Sequence, residues 1–391
     1  LTTHPEIELL LCCSRGRAAP EATRRIERLL GGPVDWERFT SLALRHGLMP
    51  LAYRRLRDSA AALVPPGPMR RLAELYKQNA ARNLYLTGEM LRALDSLDGA
   101  GVEPIPYKGP ALAREAYGDA ALRQFVDLDI LVRPRDVWGA SAALEREGFE
   151  PHFKLRGAGE REAFLRLSYV QLFTRPGDGL AVELHWGVAP RFFNFPFRVE
   201  RLWESCGALE VAGRSVRSVA PEFLILLLSV HGNKDLWARL EWVSAIDALL
   251  ARGPRPDLDA TLREAEAHGA TRVLLLGLAL AKDLLETPLP PNLIGKIGAS
   301  PAVARLAAGV RRRMFEDDPK VPTLAEQVLF HTRSKDGPRA RAVYCSRLAL
   351  TSTPVDWAAP GLAASLPFAR PLARPLRLMK KYLPHPARRA S

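Results

Sequence analysis

The sequence is poor in several things. It has only four cysteines in 391 residues, Cys12, Cys13, Cys206 and Cys345, with no CxxC pair and no Cys/His cluster at metal spacing. That argues against a structural zinc site and a disulfide framework, and points to a reducing, cytoplasmic setting. Long apolar runs are missing. The stretches around Phe223–Val230 and Val273–Ala281 fall far short of the ~20 residues a membrane span needs. The first residues, Leu-Thr-Thr-His-Pro, do not begin with Met and carry no signal-peptide pattern. There is no internal repeat and no RNA-reading aromatic motif such as an RRM signature.

What is present is ordinary globular composition, 47% hydrophobic and 25% charged, with an excess of positive charge, +13. Taken whole, +13 suggests a polyanionic partner. Its distribution says otherwise. From Pro338 to Ser391 there are ten basic residues against Asp356 alone, so the body of the chain is nearly neutral. A long nucleic-acid footprint is therefore not favoured. The Pro- and Arg-interleaved segment Leu366–Leu383 reads either as a solvated tail or as a docking segment for RNA, an anionic membrane surface or an acidic partner peptide.

Periodicity predicts a helical N-terminal region over 1–98. Glu21–Leu30 is amphipathic and stopped by Gly31-Gly32-Pro33. Asp35 is a plausible N-cap for the helix that ends at Gly47, and Met69–Leu97 is one long helix. Near Gly99 the pattern changes. Val102–Tyr107 reads as extended and Ala111–Tyr117 as helix. Val126–Val132 reads as a strand, Pro134–Glu147 as helix, Ala163–Thr174 as a strand or strand pair, and Leu180–Trp186 as a strand. Helices return at Pro221–Asn233, Leu236–Leu250, Leu258–His268 and Arg272–Leu285. The expected division is an α/β core over 99–215, a helical domain over 216–337 and a basic, proline-containing tail over 338–391.

Three features of the core converge. Lys108-Gly109 lies between a short strand and a helix, where glycine lets backbone approach a phosphate and lysine offers a point charge to a triphosphate. Asp127 and Asp129 alternate on one face of an otherwise apolar strand, where unpaired acids are costly. Glu183, on another strand, supplies a third carboxylate. Together the three can hold a pair of Mg²⁺ or Mn²⁺ ions, and Glu183 can also take a proton from an attacking hydroxyl. His185 shares the Glu183 face. His231 and Lys234 at a helix end, and Arg239 beyond it, are candidates for the substrate side. Asp247 reads as a capping or pairing residue, and Trp237 and Trp242 as core.

The segments Pro106-Tyr-Lys-Gly-Pro-Ala-Leu-Ala, Tyr117-Gly-Asp-Ala-Ala-Leu-Arg-Gln-Phe-Val-Asp-Leu-Asp-Ile-Leu-Val and Val182-Glu-Leu-His-Trp resemble the bacterial nucleotidyltransferase-like family called NTP transferase family 5, of the DNA polymerase beta-like superfamily. Asp35-Trp-Glu-Arg, Arg45-His-Gly-Leu-Met-Pro-Leu, Leu236-Trp-Ala-Arg-Leu-Glu-Trp and Arg374–Leu378 are also similar to it. Lys108-Gly109-Pro110 departs from the superfamily's usual Gly-Ser or Gly-Gly turn. The resemblance implies an α+β fold: a minimal nucleotidyltransferase mixed sheet flanked by N- and C-terminal helical regions. It implies transfer of a nucleoside monophosphate from an NTP such as ATP to a hydroxyl of a small molecule, peptide or protein. Asp127, Asp129 and Glu183 would be catalytic and metal-binding, and Lys108, Gly109 and Arg123 would contact the nucleotide phosphates. An abortive-infection-type toxin acting on RNA and a non-catalytic nucleotide- or partner-binding protein are the alternatives.

Overall fold

A computed structural model describes residues 4–16, 20–155, 157–252 and 256–351. The Leu366–Leu383 segment and Arg374–Leu378 lie outside the described residues. The N-terminal helices are α1 (Pro5–Cys13), α2 (Pro20–Leu30), α3 (Trp36–Arg45), α4 (Met49–Ala60) and the long α5 (Pro66–Gly99). Asp35 caps α3 as expected, its Oδ1 accepting the Arg38 N–H at 2.9 Å.

The central unit holds β1 (Ile105–Pro106), α6 (Gly109–Tyr117), β2 (Asp127–Leu131), α7 (Val137–Arg146), β3 (Glu150–Pro151), α8 (Ala158–Leu167), β4 (Val170–Thr174) and β5 (Ala181–His185). Its sheet runs β1-β2-β5-β4-β3 and is mixed: β2 and β5 are parallel, the other neighbours antiparallel. One face is apolar. Leu128, Ile130, Phe173, Val182 and Leu184 are all buried there, with Leu86, Met90 and Leu94 of α5 and Ala140 and Leu144 of α7 in the same core. Period-two alternation then forces Asp127, Asp129, Glu183 and His185 onto the opposite face.

A short helix α9 (Arg201–Glu204) and a hairpin of β6 (Gly207–Val211) and β7 (Arg214–Ser218) lead into the C-terminal helices. These are α10 (Pro221–Lys234), α11 (Leu240–Ala251), α12 (Leu258–Ala267), α13 (Thr271–Leu285), α14 (Pro291–Gly298), α15 (Pro301–Met314), α16 (Leu324–Arg333) and α17 (Pro338–Leu350). The fold is α+β, a mixed sheet flanked by helical regions. Among the described residues no single helix is long and apolar enough to cross a membrane.

Two element expectations are corrected. Ala163–Leu167 closes a helix, and the strand begins only at Val170. Leu236 and Trp237 are not helical. Both adopt left-handed backbone, φ 58° and 54°, and α11 starts at Leu240. The reason is local. The Trp237 indole is fully buried against Gly232, where a Cβ would lie 2.7 Å from the ring, so the chain must turn sharply after α10. Pro338–Leu350, grouped with the tail on charge, is a helix whose buried Tyr344 hydroxyl lies 3.2 Å from His331 Nδ1.

Candidate active site

The register of the two parallel strands builds the centre of the site. Asp129 stands directly opposite Glu183, and adjacent strands are ~4.8 Å apart, so the carboxylates rise side by side. His185, two residues on, joins them: its Nε2 lies 3.0 Å from Glu183 Oε2 and 3.2 Å from Asp129 Oδ1. One potential ligand atom from each of Asp129, Glu183 and His185 fits within 4.8 Å of the others. A nitrogen and two carboxylates in such a cluster suit a divalent cation.

Lys108 occupies part of that space. Its Nζ donates to Asp129 Oδ1 at 2.6 Å and lies 4.9 Å from the centre of the Tyr107 ring. Burial alone would raise the Asp129 carboxyl, but the Lys108 ammonium and His185 outweigh it and hold it well below the usual carboxylate range. Burial would lower the Lys108 ammonium, and the Asp129 charge instead holds it above its ordinary value. Chiefly through its bond from His185, Glu183 is also lowered.

Asp127 is not in this close group. It stands two residues earlier on the same face, its carboxyl raised by burial and then by the charges of Asp129 and Glu183. Gly109 opens α6 with φ +53°, and a Cβ there would meet the Asp127 carbonyl oxygen at 3.3 Å. The glycine thus lets the start of a helix approach the acidic strand.

Arg123 lies buried in the segment leading to β2. Two asparagines of α5 anchor its backbone: Asn83 Nδ2 donates to the Arg123 carbonyl at 2.7 Å and Asn79 Nδ2 at 3.2 Å. Its guanidinium Nη2 lies 3.8 Å from Glu241 Oε2 at the start of α11.

The end of α10 faces the same space. His231 is pushed well below its ordinary value by burial and by the Lys108 and Lys234 charges, with Asp129 opposing. Its ring meets Trp242 edge-on at 5.2 Å. Lys234 lies 3.8 Å from Asp235, whose carboxyl is raised by burial while Lys234 and Lys108 oppose. Arg239 turns to Glu241, Nε to Oε1 3.0 Å. Asp247 is a pairing residue, accepting from the Gly16 N–H at 2.7 Å and the Thr287 hydroxyl at 2.6 Å. Trp237 and Trp242 are both buried.

Sequence reasoning missed four residues here. Glu241 lies inside the Leu236–Trp242 segment, but nothing local separates it from a surface helix acid. Asp235 follows Lys234 and carries no local signal of its own. Tyr107 and Tyr169 carry no local signal of their own, yet Tyr107 meets the His185 ring edge-on at 5.4 Å and Tyr169 lies 6.1 Å from it. A cavity of about 940 Å³ borders Tyr169, lined also by Trp186, Phe195, Phe197 and Arg191.

No curated protein matches the chain. Among solved structures it is similar to an antigenic nucleotidyltransferase-like protein from Paracoccidioides brasiliensis, with 15% identity and a TM-score of 0.30 over 51% of this chain and 91% of that one. That likeness is too remote to bear on the site. A family model described as an uncharacterised nucleotidyltransferase matches residues 32–286, well over half of the chain, and the protein belongs to that nucleotidyltransferase family.

Proposed function

We propose that the protein is a metal-dependent enzyme that moves a nucleoside monophosphate from an NTP to a hydroxyl of a small molecule, peptide or protein. The observation that carries this reading is the pairing of Asp129 with Glu183 across parallel strands, bridged by His185, with the Lys108 ammonium already resting on Asp129 where a cation is attracted. Asp127, Asp129 and Glu183 would hold two Mg²⁺ or Mn²⁺ ions, with His185 close enough to add a ligand. When bound, such ions supply positive charge to the α-phosphate and its neighbours.

The chain's own groups do the rest. Lys108 and Arg123 offset charge that builds on the departing pyrophosphate. The α6 N-terminus, brought close by Gly109, favours phosphate oxygens. The cavity beside Tyr169, whose ring lies 6.1 Å from that of His185, would give the acceptor room. As the acceptor oxygen bonds to the α-phosphorus, the bond to pyrophosphate breaks. The hydroxyl proton passes to Glu183 at Oε1, the oxygen that His185 does not engage. His231 and Lys234, at the end of α10, would orient the substrate.

The test is incubation with each α-labelled NTP, Mg²⁺ or Mn²⁺ and a cell extract, comparing the wild type with the Asp127→Ala/Asp129→Ala variant. Label transfer by the wild type alone is the expected result. Nucleotide binding with no pyrophosphate release under any condition would leave a binding protein only.

A further inference from the structure

Glu241 is an expensive residue. It is 4% exposed, its Oε2 accepts no hydrogen bond, and burial drives its carboxyl upward. Three segments far apart in the chain hold it in place. The Glu241 N–H donates to the His46 carbonyl at 3.2 Å, and the Leu240 N–H to His46 Nδ1 at 3.3 Å. Next to His46, Gly47 adopts φ +70°, and a Cβ on it would lie 2.6 Å from Glu241 Oε2. The carboxylate fills the hole left by a missing side chain. Arg239 neutralises one oxygen and Arg123 faces the other.

Arg123 is the beneficiary. Asn79 and Asn83 fix its backbone but not its guanidinium, and its buried Nε has no partner. A guanidinium has five donors in a planar fork, and its direction decides what it can bind. Glu241, at 3.8 Å, is near enough to aim the group by charge but too far to consume its donors. We propose that Glu241 is a positioning residue for Arg123, seated by the His46–Gly47 turn, and that it keeps the guanidinium donors free for the phosphates of a nucleoside triphosphate. This rests on the nucleotidyl-transfer reading above. It gives the N-terminal helices a part in the nucleotide site.

The experiment is calorimetric titration of the full chain with ATP, GTP, CTP and UTP in Mg²⁺, continued with whichever binds the wild type most tightly. Arg123→Ala should weaken binding by about tenfold or more, and Glu241→Gln by a similar factor. The double variant should bind no more weakly than Arg123→Ala alone, because Glu241 acts through Arg123. Glu241→Asp, which keeps the charge, should recover part of the loss. Losses that multiply in the double variant, or wild-type affinity in Glu241→Gln, would overturn the proposal. So would equal losses in Glu241→Gln and Glu241→Asp, since both then report only disturbed packing. If Glu241→Gln does not fold, Glu241→Asp combined with Arg123→Ala decides by the same additivity criterion. A wild type that binds none of the four nucleotides sinks the nucleotidyl-transfer reading as well, an outcome distinct from normal wild-type binding with additive losses.

Discussion

Lys108 Nζ sits 2.6 Å from Asp129 Oδ1, with the two side chains 11% and 4% exposed. A charge pair this deeply buried gains little over an apolar pair of the same shape. Removing one member is costly, about 3–5 kcal/mol, because the other charge is left behind. In metal-free buffer, Lys108→Ala and Asp129→Ala should each lower stability by about that amount. The double variant should lose less than the sum. Urea unfolding of the four proteins measures both.

The same pair has a consequence for metal. Mn²⁺ should raise the melting temperature of the wild type by mass action and leave that of Asp129→Ala unchanged. Equal stabilisation of both proteins, read by calorimetry, would remove Asp129 from the site.

His185 Nε2 lies within hydrogen-bond distance of both Asp129 and Glu183, and on the metal-dependent reading proposed above it would arrange them as metal ligands. His185→Gln should reduce Mn²⁺ affinity by about 10–100-fold, measured by the free-ion signal in electron paramagnetic resonance. An unchanged affinity would make it a packing residue.

Gly47→Ala should be destabilising well beyond a surface substitution. The added Cβ lands 2.6 Å from Glu241 Oε2 and 2.7 Å from Arg239 Nη2, at a φ of +70° that L side chains rarely adopt. Left-handed backbone costs roughly 1–2 kcal/mol and overpacking about 1–3 kcal/mol more. A melting temperature within a degree of wild type would mean that the turn relaxes freely.

Stability should fall as pH drops below neutrality. His46 is fully buried and accepts the Leu240 N–H, so burial, with Arg45 and Arg239 nearby, lowers its pKa from 6.5 to about 3. Between those values the unfolded chain binds a proton that the folded chain refuses. Stability therefore rises with pH across the window and is lost as pH falls through it, by about 1.4 kcal/mol per unit for one group. His331, lowered to about 4 by burial and Lys335, adds to the slope in the upper part of the window. Denaturant midpoints between pH 4 and 7 should be flatter in His46→Gln than in the wild type.

Much of the central unit was legible in the chain. The alternation Val-Asp-Leu-Asp-Ile-Leu-Val admits one half-buried strand, and with it Asp127 and Asp129 on one face. Val-Glu-Leu-His does the same for Glu183 and His185. The helix 158–167 was harder to see. Its Phe164 and Leu165 suit either element, and its start at Gly157 carries no side-chain cap. The break at Leu236 was invisible, because Leu236 and Trp237, which look helical, turn left-handed so that the Trp237 ring can bury against Gly232 of α10 and Gly277 of α13.

By itself the sequence determined which groups could do chemistry and which face of each strand would carry them, since period two is a property of the strand alone. Only the tertiary structure decided which of those groups meet. Strand pairing chose Asp129 rather than Asp127 as the neighbour of Glu183 and His185. The packing of the first helices against α11 put His46 and Gly47 beneath Glu241, and Glu241 beside Arg123. Those are contacts across about 120 to 190 positions, and no local pattern encodes such a distance, because each segment is satisfied with its own backbone until the core closes.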